Sequence, residues 1–342
     1  MPVILTYLLA FALVADAIFV AALVILRRRG VYLRLRSKFG PIMVFDSTDD
    51  DGVPVRLLNV GGKFQSVGYV DEGLRYELAC VYHRYFAEIL SIAANPGSVA
   101  ERAAGRGAPE RGTTGRDGTG RDGTGRDGTG CDVAHDAGSD NAGQNLGQER
   151  PWSGDALVIG GGGYSFPKWL VAHCPQARVT VVEIDPVISD IARRRFFLDD
   201  LIRDFGATPG DAHATPSDAS PGRLRLVCDD GWAYLRGCGR HFDLIVNDAF
   251  GGRKPLGPLK TSEGARSVRE HLSEHGVYLA NVISALEGKR ARPLEESLAA
   301  CKGTFAHVYL IPERPEEPER EGDNVLIASQ LRLSIQKCYA VQ

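Results

Sequence analysis

The sequence predicts an α/β fold: a mostly parallel sheet covered by helices on both faces, with one antiparallel edge strand. Three observations predict it. The stretch Asp155–Asp185, DALVIGGGGYSFPKWLVAHCPQARVTVVEID, reads as strand, glycine turn, helix and a second strand ending in an acid. From Leu224 onward, short apolar runs alternate with amphipathic stretches, the pattern of βα repeats rather than hairpins. The last two runs, Phe305–Ile311 and Val325–Ala328, are joined by the polar loop PERPEEPEREGDN without a helix, which makes the second antiparallel to the first.

In chain order, Val3–Leu26 is apolar apart from Thr6 and Asp16, and Arg27, Arg28, Arg29, Arg34, Arg36 and Lys38 follow it. A spanning helix takes about 20 apolar residues. Residues 1–30 are therefore expected to be a single-pass transmembrane anchor, with the charge bias placing the rest of the chain in the cytoplasm. Charges behind the apolar run, and no small-residue cleavage site, argue against a removed secretory signal. Asp16 costs about 2.5–3.5 kcal/mol on insertion scales, an argument for a helix partner or a shallower insertion.

Residues 31–92 are expected to form a small β-rich domain plus a helix. VRLLNV, the turn Gly61-Gly62 and KFQSVGYV read as a β-hairpin with Gln65 on its second arm. In DEGLRYELACVYHRYFAEIL, the residues Leu78, Val81, Tyr82, Tyr85, Phe86 and Ile89 recur at helical spacing. By spacing alone, Tyr82 and His83 are ordinary residues of that helix. Residues 93–152 then lose their apolar content, and GRDGT occurs in tandem at Gly115, Gly120 and Gly125. Such a composition cannot bury enough surface to offset the entropy of ordering it, so a disordered linker is expected.

Residues 153–342 are expected to form the main domain. Its first strand is Ala156–Ile159, broken by Gly160–Gly163; Ser165 and Pro167 suit a helix start carrying Trp169, Leu170 and Val171. The strand Arg178–Ile184 is rich in β-branched residues, and Asp185-Pro186 opens a helix that turns Val187, Ile188, Ile191, Ala192 and Phe196 inward. After a polar insertion at Gly206–Gly222 come the strand Leu224–Cys228, a turn at Asp229-Asp230-Gly231, a helix near Trp232–Arg236 and the strand Phe242–Val246, ending in Asn247-Asp248. A helix over Ser262–Glu274, the strand Val277–Ile283 and a helix over Pro293–Cys301 lead to the final pair.

In an open parallel sheet the ligand lies beyond the carboxyl ends of the strands. Four strand ends deliver Gly160, Gly161 and Gly162, then Glu183, then Asp229, Asp230 and Gly231, and finally Asp248 to one crevice. Glycines admit a ligand close to the backbone, and a carboxylate at the tip of the second strand accepts ribose hydroxyls. GGGGYS lacks the third glycine of a nicotinamide-binding turn, so an adenosyl ligand on a Rossmann-like sheet is expected. Each acid also suits a helix cap. A net charge of -3 predicts no bulk nucleic-acid partner, and seven cysteines without CxxC pairs read as reduced thiols. His271 and His275 stand at i, i+4, but HLSEH lacks the glutamate placement of a zinc protease, and no metal site is indicated.

In order and spacing, LVIGGGGYSFP, VVEIDP, CDDGWAYL and FDLIVNDAF resemble the motifs of spermidine synthases and related aminopropyltransferases, and VGGKFQSVGYVDE with YELACVYHRYF resembles their β-rich N-terminal part. The resemblance covers roughly residues 55–90 and 155–330. It implies a methyltransferase-type sheet, a homodimer, and polyamine biosynthesis by transfer of an aminopropyl group from decarboxylated S-adenosylmethionine to a putrescine-like amine, with no prosthetic group. It further implies that Glu183 holds the ribose, Asp230-Gly231 addresses adenine, Asp248 accepts the amine proton and Gln65 lies near the nucleoside product. Either Tyr82 or Tyr76 supplies the active-site tyrosine. Two places depart from the pattern: Gly163 stands for the acid of GGGDGG, and Gly251 for a second aspartate three residues after the catalytic one. The alternatives are a membrane-tethered methyltransferase using S-adenosylmethionine itself, or a non-catalytic nucleoside-binding scaffold.

Overall fold

The computed structural model describes residues 30–95, 150–210, 223–251, 254–255, 257–335 and 341, with Val14 and Ala21 as single helical positions. The amino-terminal part is a four-stranded antiparallel meander, β1 (Tyr32–Arg34), β2 (Ile42–Thr48), β3 (Pro54–Val60) and β4 (Lys63–Tyr69). The hairpin read from the sequence is β3–β4, and its two-residue turn needs positive φ at both places, which Gly61 (60°) and Gly62 (83°) supply. A Cβ on Gly61 would lie 2.6 Å from the Phe39 carbonyl oxygen. Strands β1 and β2 were not expected, because the run LRLRSKFGPIMVFDST mixes charge, glycine and proline with its apolar residues.

After a 3₁₀ turn at Glu72–Leu74, capped by Asp71, helix α1 runs over Val81–Ala94. Leu78 precedes the helix, and Val81 is exposed although it fits the apolar spacing. The buried stripe is instead Tyr82, His83, Phe86, Ile89 and Leu90. The chain leaves α1 at Asn95 and is described again at Arg150. Asn95 Nδ2 donates to the Arg150 carbonyl at 3.1 Å, and the Arg150 amide donates to Asn95 Oδ1 at 3.2 Å, so the two ends meet.

The larger sheet takes β5 (Gly154–Ile159), β6 (Ala177–Glu183), β7 (Ala207–Gly210), β8 (Leu224–Cys228), β9 (Phe242–Asn247), β12 (Leu272–Ser284), β13 (His307–Ile311) and β14 (Gly322–Ser329). The short strands β10 (Phe250–Gly251) and β11 (Lys254–Pro255) pair only with each other. The order across the large sheet is β13-β14-β12-β9-β5-β6-β8-β7. Six neighbouring strands are parallel, and β14 is antiparallel to both β12 and β13. The antiparallel strand is therefore one place in from the edge rather than at it. The loop returns β14 into the slot beside β12, which pushes β13 to the rim.

Helices α2 (Ser165–His173), α3 (Pro186–Arg195) and α4 (Leu198–Phe205) join α1 and the small sheet on one face, over Val158, Val181, Val246 and Leu279. Helices α5 (Gly231–Gly237), α6 (Ser262–His271) and α7 (Arg292–Lys302) cover the other, over Leu157, Val182, Ile245 and Ala280. Adjacent strand residues thus enter opposite cores, the period of two that a sheet covered on both faces requires. The expected helix over Ser262–Glu274 stops at His271, where Leu272 turns extended and begins β12. His271 and His275 consequently do not share a helix.

The membrane location expected from the amino terminus is corrected. Among the described residues, no helix is long and apolar enough to cross a membrane; the longest, α1, has 14 residues where a bilayer needs about 20. Apart from Val14 and Ala21, the expected anchor Val3–Leu26 lies outside the described residues, as do most of the expected linker, 96–149, and the insertion at 211–222.

Candidate active site

The glycine turn is built to bring the end of β5 close to its neighbours. Gly160 has φ 99°, and a Cβ there would lie 2.4 Å from the Asp248 carbonyl oxygen, so only glycine fits. Tyr164, in the left-handed region at φ 57°, closes the turn by donating its amide to the Gly161 carbonyl at 2.7 Å. Its ring fills the space where a side chain on Gly161 would be. Ser165, expected as the helix cap, is instead the first residue of α2, and its hydroxyl donates to the Val67 carbonyl at 2.8 Å. The turn is thereby tied to β4.

Glu183, at the end of β6, is buried beneath this turn. Its Oε2 accepts the amides of Gly161 at 2.8 Å and Gly162 at 3.2 Å, and its Oε1 accepts the amide of Asp185 at 2.9 Å. Burial raises its carboxyl above the usual range, and the three amides oppose that rise. A carboxylate offers about four lone-pair directions, so one remains for a ligand. Asp185 caps α3 by accepting the Val187 amide at 3.0 Å, and its other oxygen accepts the Lys38 amide at 2.8 Å.

Asp230 caps α5 through the Ala233 amide at 3.0 Å and still lines the cavity, combining the two uses its position suggests. Gly231 is required behind it, since a Cβ would lie 2.2 Å from Ile159 Cγ2. Asp229 accepts the Asp230 amide at 2.7 Å and is not part of the cavity wall, so of the paired acids only Asp230 reaches the crevice.

Asp248 follows β9, with its amide held by the Ile159 carbonyl at 2.9 Å. The Tyr82 hydroxyl donates to Oδ1 at 3.1 Å and Oδ2 at 3.2 Å, and His83 Nε2 lies 2.9 Å from Oδ2. Burial first, and then the Asp248 charge, hold the Tyr82 phenol well above its ordinary range, so it stays a proton donor. The His83 ring stacks on Phe166 at 5.6 Å, and its Nδ1 is buried without a hydrogen-bond partner. The facing carboxylate makes Nε2 the protonated nitrogen. Tyr76 is elsewhere: its hydroxyl donates to Asp204 at 2.7 Å. Of the two tyrosines, Tyr82 is the one on Asp248.

These groups open on one cavity of about 490 Å³, bordered by Gln65, Gly160–Gly162, Glu183, Asp230 and Asp248. His83 also lines it and was not singled out from the sequence. The available signal was a tyrosine–histidine pair inside an otherwise apolar buried stripe. Ser66 occupies the space beside Gly163: a Cβ there would lie 2.7 Å from Ser66 Oγ and 3.1 Å from Phe196 Cδ1. The place where the resemblance calls for an acid is thus already filled from β4.

Known proteins share parts of this sequence and its fold. Residues 148–313 match the family model described as "Spermine/spermidine synthase domain". This region is similar to spermine/spermidine synthase domains. A "Polyamine aminopropyltransferase" of Vibrio vulnificus (strain CMCP6) is 27% identical over 189 residues, covering 54% of this chain and 54% of that protein. An "eEF1A lysine and N-terminal methyltransferase homolog" of Drosophila pseudoobscura pseudoobscura is 30% identical over 138 residues, covering 38% of this chain and 18% of that protein. The chain thus spans about half the length of the first relative and far less of the second. A probable spermidine synthase from Corynebacterium glutamicum ATCC 13032 shares the fold, with a TM-score of 0.55 at 16% identity over 90% of this chain and 82% of that one.

Proposed function

We propose that this protein transfers an aminopropyl group from decarboxylated S-adenosylmethionine to a small amine. The observation that carries the reading is the Asp248 carboxylate, gripped by Tyr82 and His83 and lining one cavity with the glycine turn and Glu183. In this assignment the turn and Gln65 flank the nucleoside, Glu183 accepts one ribose hydroxyl, and Asp230 faces the adenine amino group. Gly160 and Gly231 pack against Asp248 and Ile159, which sets the ends of β5 and β8 close together at the cavity.

The chemistry asks for alignment and proton removal. An alkylamine is protonated at neutral pH, with an ordinary pKa of about 10.4, and its lone pair must be free to attack. The amine nitrogen bonds to the propyl carbon next to the sulfonium, the carbon–sulfur bond breaks, and sulfur leaves as a neutral thioether. Asp248 accepts the proton the amine sheds. Tyr82 and His83 occupy three of its lone-pair directions and leave one for that proton. Methyl transfer from intact S-adenosylmethionine is not favoured, because the matched family model is that of the synthases.

Asp248→Asn keeps the shape and removes the proton acceptor. The expected result is a fall in aminopropyl transfer of at least about a hundredfold, with calorimetric binding of decarboxylated S-adenosylmethionine unchanged within about threefold. Full turnover in that variant would overturn the assignment.

A further inference from the structure

We propose that Trp169 is a positioning residue: acting through Phe166 and His83, it steadies the ring that holds the Asp248 carboxylate. The proposal rests on the assignment of Asp248 as the proton acceptor and adds a determinant outside the cavity. A column of near-parallel rings makes the connection. His83 stacks on Phe166 with centroids 5.6 Å and planes 20° apart, Phe166 on Trp169 at 6.0 Å and 12°, and Trp169 on His173 at 5.2 Å and 15°. The column starts at Asp248 Oδ2, 2.9 Å from His83 Nε2, and ends at Glu77, whose Oε1 lies 3.1 Å from His173 Nε2.

Helix periodicity builds it. Phe166, Trp169 and His173 follow one another in α2 by steps of three and four residues, so they share one face. That face meets His83 in the first turn of α1. At the outer end His173 is exposed, yet its ring is fixed twice: Nδ1 lies 3.1 Å from the Trp169 carbonyl oxygen, and Nε2 faces Glu77.

The inner end needs this support. A working histidine is ordinarily oriented by a hydrogen bond on its other nitrogen, but His83 Nδ1 is buried without a partner. The last torsion of an imidazole is broad, so the covalent bond does not fix the ring plane either. Packing is what remains. Tyr82 and Phe86 meet the His83 ring at steep angles, 48° and 56°, whereas Phe166 lies nearly parallel to it. Phe166 has the same broad torsion, and it is held by Phe86 at 5.3 Å, edge to face, and by the flat indole of Trp169. Phe166 lines the cavity, so replacing it disturbs a ligand directly; Trp169 does not line it, and its effect on the reacting atoms runs through the column.

The test compares the wild-type full chain with Trp169→Leu and Trp169→Phe, in turnover of decarboxylated S-adenosylmethionine with 1,4-diaminobutane. Trp169→Leu is expected to lower kcat about three- to tenfold, the worth of one aromatic pair. KM for both substrates should stay within about twofold, and Trp169→Phe should recover most of the loss. In a His83→Leu background, Trp169→Leu should change kcat by less than about 1.5-fold, because the path is already cut. Should Trp169→Leu fail to fold, Trp169→Met, which fills the space without a flat ring, carries the same expectation. An unchanged kcat, a loss in KM alone, or the full loss repeated in the His83→Leu background overturns the proposal. A second readout needs no turnover. Nitrogen NMR of histidine-labelled protein, with the His83 signals identified by their absence in His83→Leu, should show protonation at Nε2 in the wild type and a tautomer mixture in Trp169→Leu. Identical His83 signals in the two proteins sink the positioning role whether or not transfer occurs. A tautomer mixture in the variant, with no transfer by the wild type, sinks the aminopropyl-transfer reading and leaves the column standing.

Discussion

His83 Nε2 lies 2.9 Å from Asp248 Oδ2, joining the first turn of α1 to the end of β9 across a separation of 165 residues. Since Tyr82 holds the same carboxylate, two consecutive residues fix both its oxygens. His83→Leu should lower kcat roughly ten- to a hundredfold, the worth of one hydrogen bond to a charged group. Nucleoside affinity should stay within about twofold. A KM effect without a kcat effect would instead mark His83 as a substrate contact.

Gly163 is predicted to reject the acid of the related motif. Gly163→Asp brings a Cβ against Ser66 and Phe196, and such overpacking costs typically about 1–3 kcal/mol. Ser66→Gly in the same chain should recover most of that loss. Chemical denaturation of the two single variants and the double variant measures the coupling, and additivity would mean that the two positions do not collide.

Glu183 serves the fold before it meets any ligand. Glu183→Gln replaces one acceptor oxygen with an amide NH₂ in a place where three backbone amides converge. An expected loss of about 1–3 kcal/mol follows from the donor left unpaired. Urea midpoints report it without ligand, and an unchanged midpoint would show that the turn stands without this carboxylate.

Lys168 makes stability depend on alkaline pH. It is buried in α2, its ammonium donates to the Phe196 carbonyl at 2.6 Å, and burial lowers its pKa from 10.5 to about 7. The folded state therefore sheds this proton before the unfolded chain does. The contribution is present in full above the unfolded value of 10.5 and is lost as pH falls to about 7. Between those values stability should rise with pH by up to about 1.4 kcal/mol per unit from this group. Lys168→Met should flatten that part of the curve; parallel curves for the two proteins would refute the assignment.

The sheet was legible because apolar strand runs and glycine turns are local signals. LVIGGGG, VVEIDP and FDLIVND each announce a strand, its end and a cap within a few residues. Helix α1 was legible as a helix, but its spacing did not show its job: the family resemblance alone pointed to Tyr82 or Tyr76, and nothing pointed to His83 until β9 brought Asp248 beneath it. Spacing alone did not separate Asp229 from Asp230, which only the family resemblance singled out, since the cap geometry of α5 decides which one turns into the crevice. The slot taken by β14 was likewise hidden. Pairing between β12 and β14 is made across many intervening residues, and nothing in PERPEEPEREGDN states which neighbour the returning strand will choose.

The reciprocal hydrogen bonds between Asn95 and Arg150 carry one more consequence. A single proteolytic cut anywhere in 96–149 divides the chain into a piece bearing Tyr82 and His83 and a piece bearing Asp248. Catalysis by such a nicked protein would require the halves to stay associated, and co-expressing them as separate polypeptides turns that association into a complementation assay. The seam between the two pieces is held by the same contacts that assemble the site.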